Sequence, residues 1–175
     1  FTEGWGNMVP EFFKGKPYVN RGIGGQTTPQ MLIRFRPDVI DLQPKVVVIL
    51  AGTNDIAGNT GTTSEQTIVN NLISMAQLAK ANGIKVVISS IIPVFDYPWK
   101  PGLEPVAKIA SINQSLKTYA KNNGMVYLDY YTPMADERKG LKASLTYDGV
   151  HPNKEGYQLM APLADAAIKS ALKTK

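Results

Sequence analysis

This sequence predicts an α/β domain of three layers, with helices on both faces of a parallel sheet. Three observations carry that expectation. Short β-branched runs alternate along the chain with longer segments of helical periodicity. The runs at 45–50 (KVVVIL) and 84–92 are apolar without polar alternation, as in strands covered on both faces. Gly, Asn and Asp residues follow the strands directly, and in such sheets ligands bind outside the carboxyl ends of the strands.

Taken in order, residues 3–14 read as a short helix interrupted near Pro10. Tyr18, Val19 and Asn20 read as a strand that ends at Gly22-Ile23-Gly24-Gly25. Thr27-Thr28-Pro29 is a helix start, since a hydroxyl can cap and Pro in the first turn leaves no amide wanting. Met31, Leu32, Phe35, Val39 and Ile40 give that helix an apolar face. The strand at 45–50 stops at Ala51-Gly52-Thr53-Asn54-Asp55. A capped helix at 64–82 places Ile68, Leu72, Met75, Ala76 and Ala79 on one side and stops at Gly83. After the strand at 84–92 comes a loop at 93–105 carrying Phe95, Tyr97 and Trp99 among four prolines. A helix at 106–123, a short strand at 125–128 and a final helix at 154–173 complete the alternation, with right-handed crossovers expected between parallel strands.

Composition limits the classes of function. A length of 175 residues suits one domain with its own core. The sequence has no cysteine, which excludes a thiol nucleophile, a disulfide and a thiolate metal site. A single histidine leaves little to bind a metal, with Asp129 and Asp136 as the carboxylates that could join it. No apolar run is long enough to span a membrane. The formal charge is +5, but the basic residues are scattered and not interleaved with aromatics, so the expectation is a solvated surface and no nucleic-acid partner.

The single histidine, His151, lies three residues after Asp148 in Tyr147-Asp148-Gly149-Val150-His151-Pro152-Asn153. A carboxylate bound to one imidazole nitrogen holds the tautomer in which the other accepts a proton, so the pair reads as a general base and its orienter. The same loop also reads as a helix cap with an incidental histidine. Gly22-Ile23-Gly24-Gly25 lacks the G-x-G-x-x-G spacing of a dinucleotide site. It is either a tight turn or a place where the Gly25 amide faces a pocket as an oxyanion donor. Asn54-Asp55 is either a self-bonded turn or a carboxamide donor beside a carboxylate that holds its loop.

Together, Gly25 within Asn20-Arg21-Gly22-Ile23-Gly24-Gly25-Gln26-Thr27-Thr28, then Gly52-x-Asn54-Asp55, then Asp148-x-x-His151-Pro152, resemble three of the sequence blocks of the SGNH hydrolases, the GDSL-type serine esterases. The resemblance runs over essentially the whole chain, towards bacterial acyl esterases similar to platelet-activating-factor acetylhydrolase and to carbohydrate acetyl esterases. It implies a flavodoxin-like α/β/α sandwich in one domain over 1–175 and no cofactor. The implied partner is a small-molecule ester or acylated carbohydrate, and the implied location periplasmic or secreted. By resemblance Gly25 and Asn54 are oxyanion-hole donors, His151 the general base and Asp148 its partner. The implied activity is hydrolysis of short acyl esters, acetyl groups on a carbohydrate above all. A lysophospholipase-type acylhydrolase and a non-catalytic binder of acylated glycans are the alternatives.

One block departs from the pattern. The family's nucleophile lies in a Gly-Asp-Ser block at the end of the first strand, and Phe1-Thr2-Glu3-Gly4-Trp5 resembles the start of the helix immediately after that serine. The resemblance therefore implies a nucleophile one residue before Phe1. It also implies a missing central strand between residues 18–20 and 45–50. A chain lacking that strand is expected to leave a slot in its sheet.

Overall fold

The computed structural model describes residues 1–173. Three parallel strands, β1 (Val46–Ile49), β2 (Lys85–Ser89) and β3 (Val126–Leu128), form a sheet in the order β1-β2-β3. The register sets Val46 beside Lys85 and Val87 beside Val126. The helices are α1 (Thr2–Met8), α2 (Thr28–Ile33), α3 (Thr53–Ile56), α4 (Glu65–Ala81), α5 (Pro105–Asn122), α6 (Tyr131–Met134) and α7 (Lys154–Lys173).

Successive strand residues point to opposite faces, and here both faces are covered. Val47, Ile49, Val86, Ile88 and Tyr127 pack with α4 and α5, around Leu72, Met75, Ile109, Ile112 and Leu116. Val46, Val48, Val87, Val126 and Leu128 pack with α1 and α7, around Trp5, Tyr157 and Met160. The unbroken apolar runs of the sequence have this cause. Each crossover helix starts and stops as local chemistry requires. The Ser64 hydroxyl accepts the Thr67 N–H at 3.1 Å to cap α4, and Gly83 follows its end with φ of 73°.

Two elements differ from the sequence reading. The apolar face at 31–40 is not one helix: α2 ends at Ile33, and residues Arg36–Ile40 wind as a wider π turn. Pro37 lacks the N–H that would continue the α-helical ladder. Residues 18–20 form no strand. Tyr18 instead donates to Asp165 at 2.9 Å, Asn20 donates to the Thr2 carbonyl at 2.5 Å, and Val19 is 72% exposed. A strand exists only by pairing, and this segment has no strand beside it.

Between that segment and the outer edge of β1 lies a cavity of about 610 Å³, bounded by β1, by Tyr18 and Val19, and by Phe1 and Trp5. Among the described residues no strand pairs with β1 on this side.

Candidate active site

The loop before α7 is built around one carboxylate. Asp148 Oδ1 accepts the N–H groups of Val150 and His151 at 2.9 and 2.7 Å, while Oδ2 lies 2.7 Å from His151 Nδ1. Thr146 braces the turn from below: its hydroxyl donates to the His151 carbonyl at 2.7 Å and accepts the Gly149 N–H at 2.9 Å. Burial raises the Asp148 pKa, but the bonds from the His151 and Val150 amides and from the imidazole outweigh it and hold the carboxyl below its ordinary value. An ionised acceptor facing Nδ1 makes that nitrogen the N–H, which leaves the Nε2 lone pair free. Nε2 has no hydrogen-bond partner among the described residues.

The second corner follows β1. Gly52 turns the chain with φ of 116°, and a Cβ there would come within 2.6 Å of Ile91 Cδ1, so glycine is required. The turn begins α3, from which Asn54 donates to the Gln26 carbonyl at 2.8 Å. One amide hydrogen of Asn54 is used in that bond, and the second stays available. Asp55, 3% exposed, accepts both the Thr28 N–H at 3.0 Å and the Thr28 hydroxyl at 2.6 Å. Burial raises its pKa against the opposing pull of these Thr28 donors. Gly25, with φ of 75°, carries an N–H that donates to no acceptor among the described residues, and its carbonyl accepts from Asn59 at 2.9 Å.

The loop at 93–105 joins these corners. Tyr97 is buried and donates to the Thr53 carbonyl at 2.9 Å; burial pushes its hydroxyl up to about 12, so it stays a donor. Two residues on, Trp99 is exposed, with its ring centroid 5.7 Å from the His151 imidazole. Tyr147 stacks on that imidazole at 5.7 Å, and Phe1 meets it edge-on at 5.6 Å. The Gly turn therefore touches the Asn54 corner, that corner touches the aromatic loop, and the loop touches His151. The four loops lie along one edge of the sheet.

Sequence reasoning missed Thr146 and Asn59, and the contacts by which Thr28 and Tyr97 support this arrangement. Their side chains act on residues distant in sequence or through backbone atoms, and no local pattern signals that. Ser89 and Ser90 have other tasks, since the Ser89 hydroxyl donates to the Ile49 carbonyl and the Ser90 hydroxyl accepts the Tyr130 and Tyr131 amides. Asp129 and Asp136 are occupied with backbone amides of their own turns. No group of three His, Cys, Asp or Glu side chains able to hold a metal is found among the described residues.

The arrangement of blocks is matched in known proteins. Residues 1–159 match the GDSL-like lipase/acylhydrolase family. The chain belongs to that family. Within it, a proposed acylhydrolase from Bacteroides fragilis NCTC 9343 has a crystal structure 48% identical in sequence, with a TM-score of 0.95 over 98% of this chain and 84% of that one. A GDSL-like lipase from Bacteroides thetaiotaomicron VPI-5482 is also 48% identical, with a TM-score of 0.94 over 97% of this chain and 84% of that one. An acetyl xylan esterase shares the fold at 19% identity and a TM-score of 0.73, over 96% of this chain and 90% of that one. An uncharacterized lipoprotein of Bacillus subtilis is 35% identical over 96 residues, 53% of this chain and 40% of that protein, so the match spans less than half of that relative. As a GDSL-family sandwich, the domain carries its sequence blocks on the edge where α/β sheets bind ligands.

Proposed function

We propose that this domain is the larger part of a serine esterase that hydrolyses short acyl esters, acetyl groups on a carbohydrate in the first place. The observation that carries the reading is the Asp148–His151 contact at 2.7 Å with Nε2 unpartnered, on the same edge as the free Gly25 N–H. In this mechanism a serine hydroxyl attacks the ester carbonyl while His151 Nε2 takes its proton. Asp148 stabilises the imidazolium, and the Gly25 N–H and the second amide hydrogen of Asn54 receive the oxyanion. Collapse expels the alcohol, which takes the proton back from His151; water then attacks the acyl-enzyme by the same route.

The serine belongs, on this reading, to a strand seated in the slot beside β1 and ending next to Phe1. Three features support it. β1 has an unpaired edge, and backbone N–H and C=O groups at an edge are a template for another strand. The slot is lined mainly by apolar side chains, among them Val46, Val48, Trp5 and Phe12. The Trp5 indole N–H is buried without a partner, a costly state that a neighbouring carbonyl would relieve. An acyl chain in the slot would satisfy none of these polar groups. The exposed Trp99 and Tyr147 rings beside the imidazole offer apolar faces on which a sugar ring can stack, which favours a carbohydrate leaving group.

The test is hydrolysis of p-nitrophenyl acetate and of acetylated xylooligosaccharides at about pH 8 by the protein with its upstream segment. Turnover abolished by His151→Ala is the expected result. Unchanged turnover in that variant would remove His151 as the base, and a folded, inert wild-type protein that still binds the oligosaccharides would make the domain a glycan-binding module.

A further inference from the structure

The glycine turn at 22–25 contains three glycines in four residues, and such a backbone is free to point the Gly25 N–H in many directions. In the structure it is held from both sides. Glu3 Oε2 accepts the Gly24 N–H at 2.6 Å, which fixes the peptide before Gly24. Asn59 Nδ2 donates to the Gly25 carbonyl at 2.9 Å, which fixes the peptide after Gly25. The Gly24–Gly25 peptide, which bears the free N–H, lies between these two anchored planes.

Both anchors reach the rest of the site. Asn59 donates its backbone N–H to the Asn54 carbonyl at 3.0 Å, so one residue contacts the backbone of both oxyanion donors. Glu3 stands in the first turn of α1, two residues after Phe1. Asn20 adds a second tie there, donating to the Thr2 carbonyl at 2.5 Å while its Oδ1 accepts the Gly22 N–H at 2.9 Å. The packing leaves no room for side chains: a Cβ on Gly22 would lie 2.5 Å from the Glu3 nitrogen, and one on Gly24 would lie 2.5 Å from Glu3 Oε2.

We infer that Glu3 and Asn59 are positioning residues that set the direction of the Gly25 N–H and lock it to Asn54 and to the start of α1. The inference rests on the esterase reading of the site. Neither side chain touches the reacting atoms. Each acts by restricting a peptide plane, so the effect belongs to the transition state, where the oxyanion forms, and not to ground-state binding.

The experiment is steady-state hydrolysis of p-nitrophenyl acetate by the protein with its upstream segment. Asn54→Ala, which removes a donor outright, sets the scale at about 10²–10³ in kcat. Glu3→Ala and Asn59→Ala are expected to lower kcat roughly tenfold with KM unchanged, the pattern of a lost transition-state interaction. Glu3→Gln keeps an acceptor for the Gly24 N–H and should restore most of kcat. Asn59→Asp is isosteric but sets a carboxylate against the Gly25 carbonyl, and should not. If His151→Ala leaves hydrolysis intact, the esterase reading fails and the inference with it. If His151→Ala abolishes hydrolysis while Glu3→Ala and Asn59→Ala keep full kcat, or while Asn59→Asp is fully active, the inference alone is overturned.

Discussion

Asp148 is the smallest unit in which sequence, conformation and chemistry meet. Its Oδ1 holds the loop by accepting two backbone amides, and its Oδ2 holds the imidazole. The contact itself is part-exposed, and even charged pairs at exposed sites contribute little, so orientation is its larger effect. The direction of the pKa shift fixes the acid behaviour. A carboxyl whose folded pKa is depressed contributes stability that is full above its unfolded value of roughly 3.9 and is lost as pH falls through the folded value. The difference in melting temperature between the wild type and Asp148→Asn should therefore hold down to about pH 4 and close only below it. A gap that closes between pH 7 and pH 5 would contradict the role of the ionised carboxylate. His151 and Asp148 were legible in the sequence because only a short loop separates them and no other histidine competes.

At the scale of elements, Asp55 ties α3 to α2. Its carboxylate accepts both polar hydrogens of Thr28, and the Thr28 hydroxyl in turn accepts from Asn71 on α4 at 3.0 Å. Three helices thus share one buried network behind Asn54. Asp55→Ala leaves the Thr28 donors without a partner in a buried place, at a cost of about 1–3 kcal/mol for each. Urea unfolding should show a lower midpoint with an unchanged slope. An unaltered midpoint would mean that water replaces the carboxylate. From sequence, Asp55 is expected to hold its own loop; what it also holds is the start of α2, 27 residues earlier. The strand expected at residues 18–20 failed for a related reason, since pairing depends on what stands alongside and not on the β propensity of Tyr and Val.

At the scale of the molecule, a cavity of about 610 Å³ lies beside β1. Filling it with about five or six apolar side chains at ~1.5–3 kcal/mol each would contribute as much as the whole net stability of a domain, about 5–15 kcal/mol. A protein beginning at Phe1 is accordingly expected to bind an apolar dye such as anilinonaphthalene sulfonate in this slot. If the esterase reading holds, the same protein extended by a strand that fills the slot should lose that binding and melt at a higher temperature. Equal dye binding by both would show that the segment seats elsewhere and return the slot to an acyl chain.

What the sequence by itself determined is the parallel sheet with its covering helices, the Asp148–His151 pair, and the glycine and Asn54 corners, because each is written in short-range periodicity or in a few adjacent residues. Only the tertiary structure decided which side chains hold those corners together. Glu3 reaches Gly24 across 21 residues, Asn59 reaches Gly25 across 34, and Tyr97 reaches Thr53 across 44. These contacts join residues that are neighbours only after the sheet has gathered its loops at one edge. A hydrogen bond to a backbone atom can be made by many side chains from many places, so it leaves no pattern in the chain until the fold brings the two ends together.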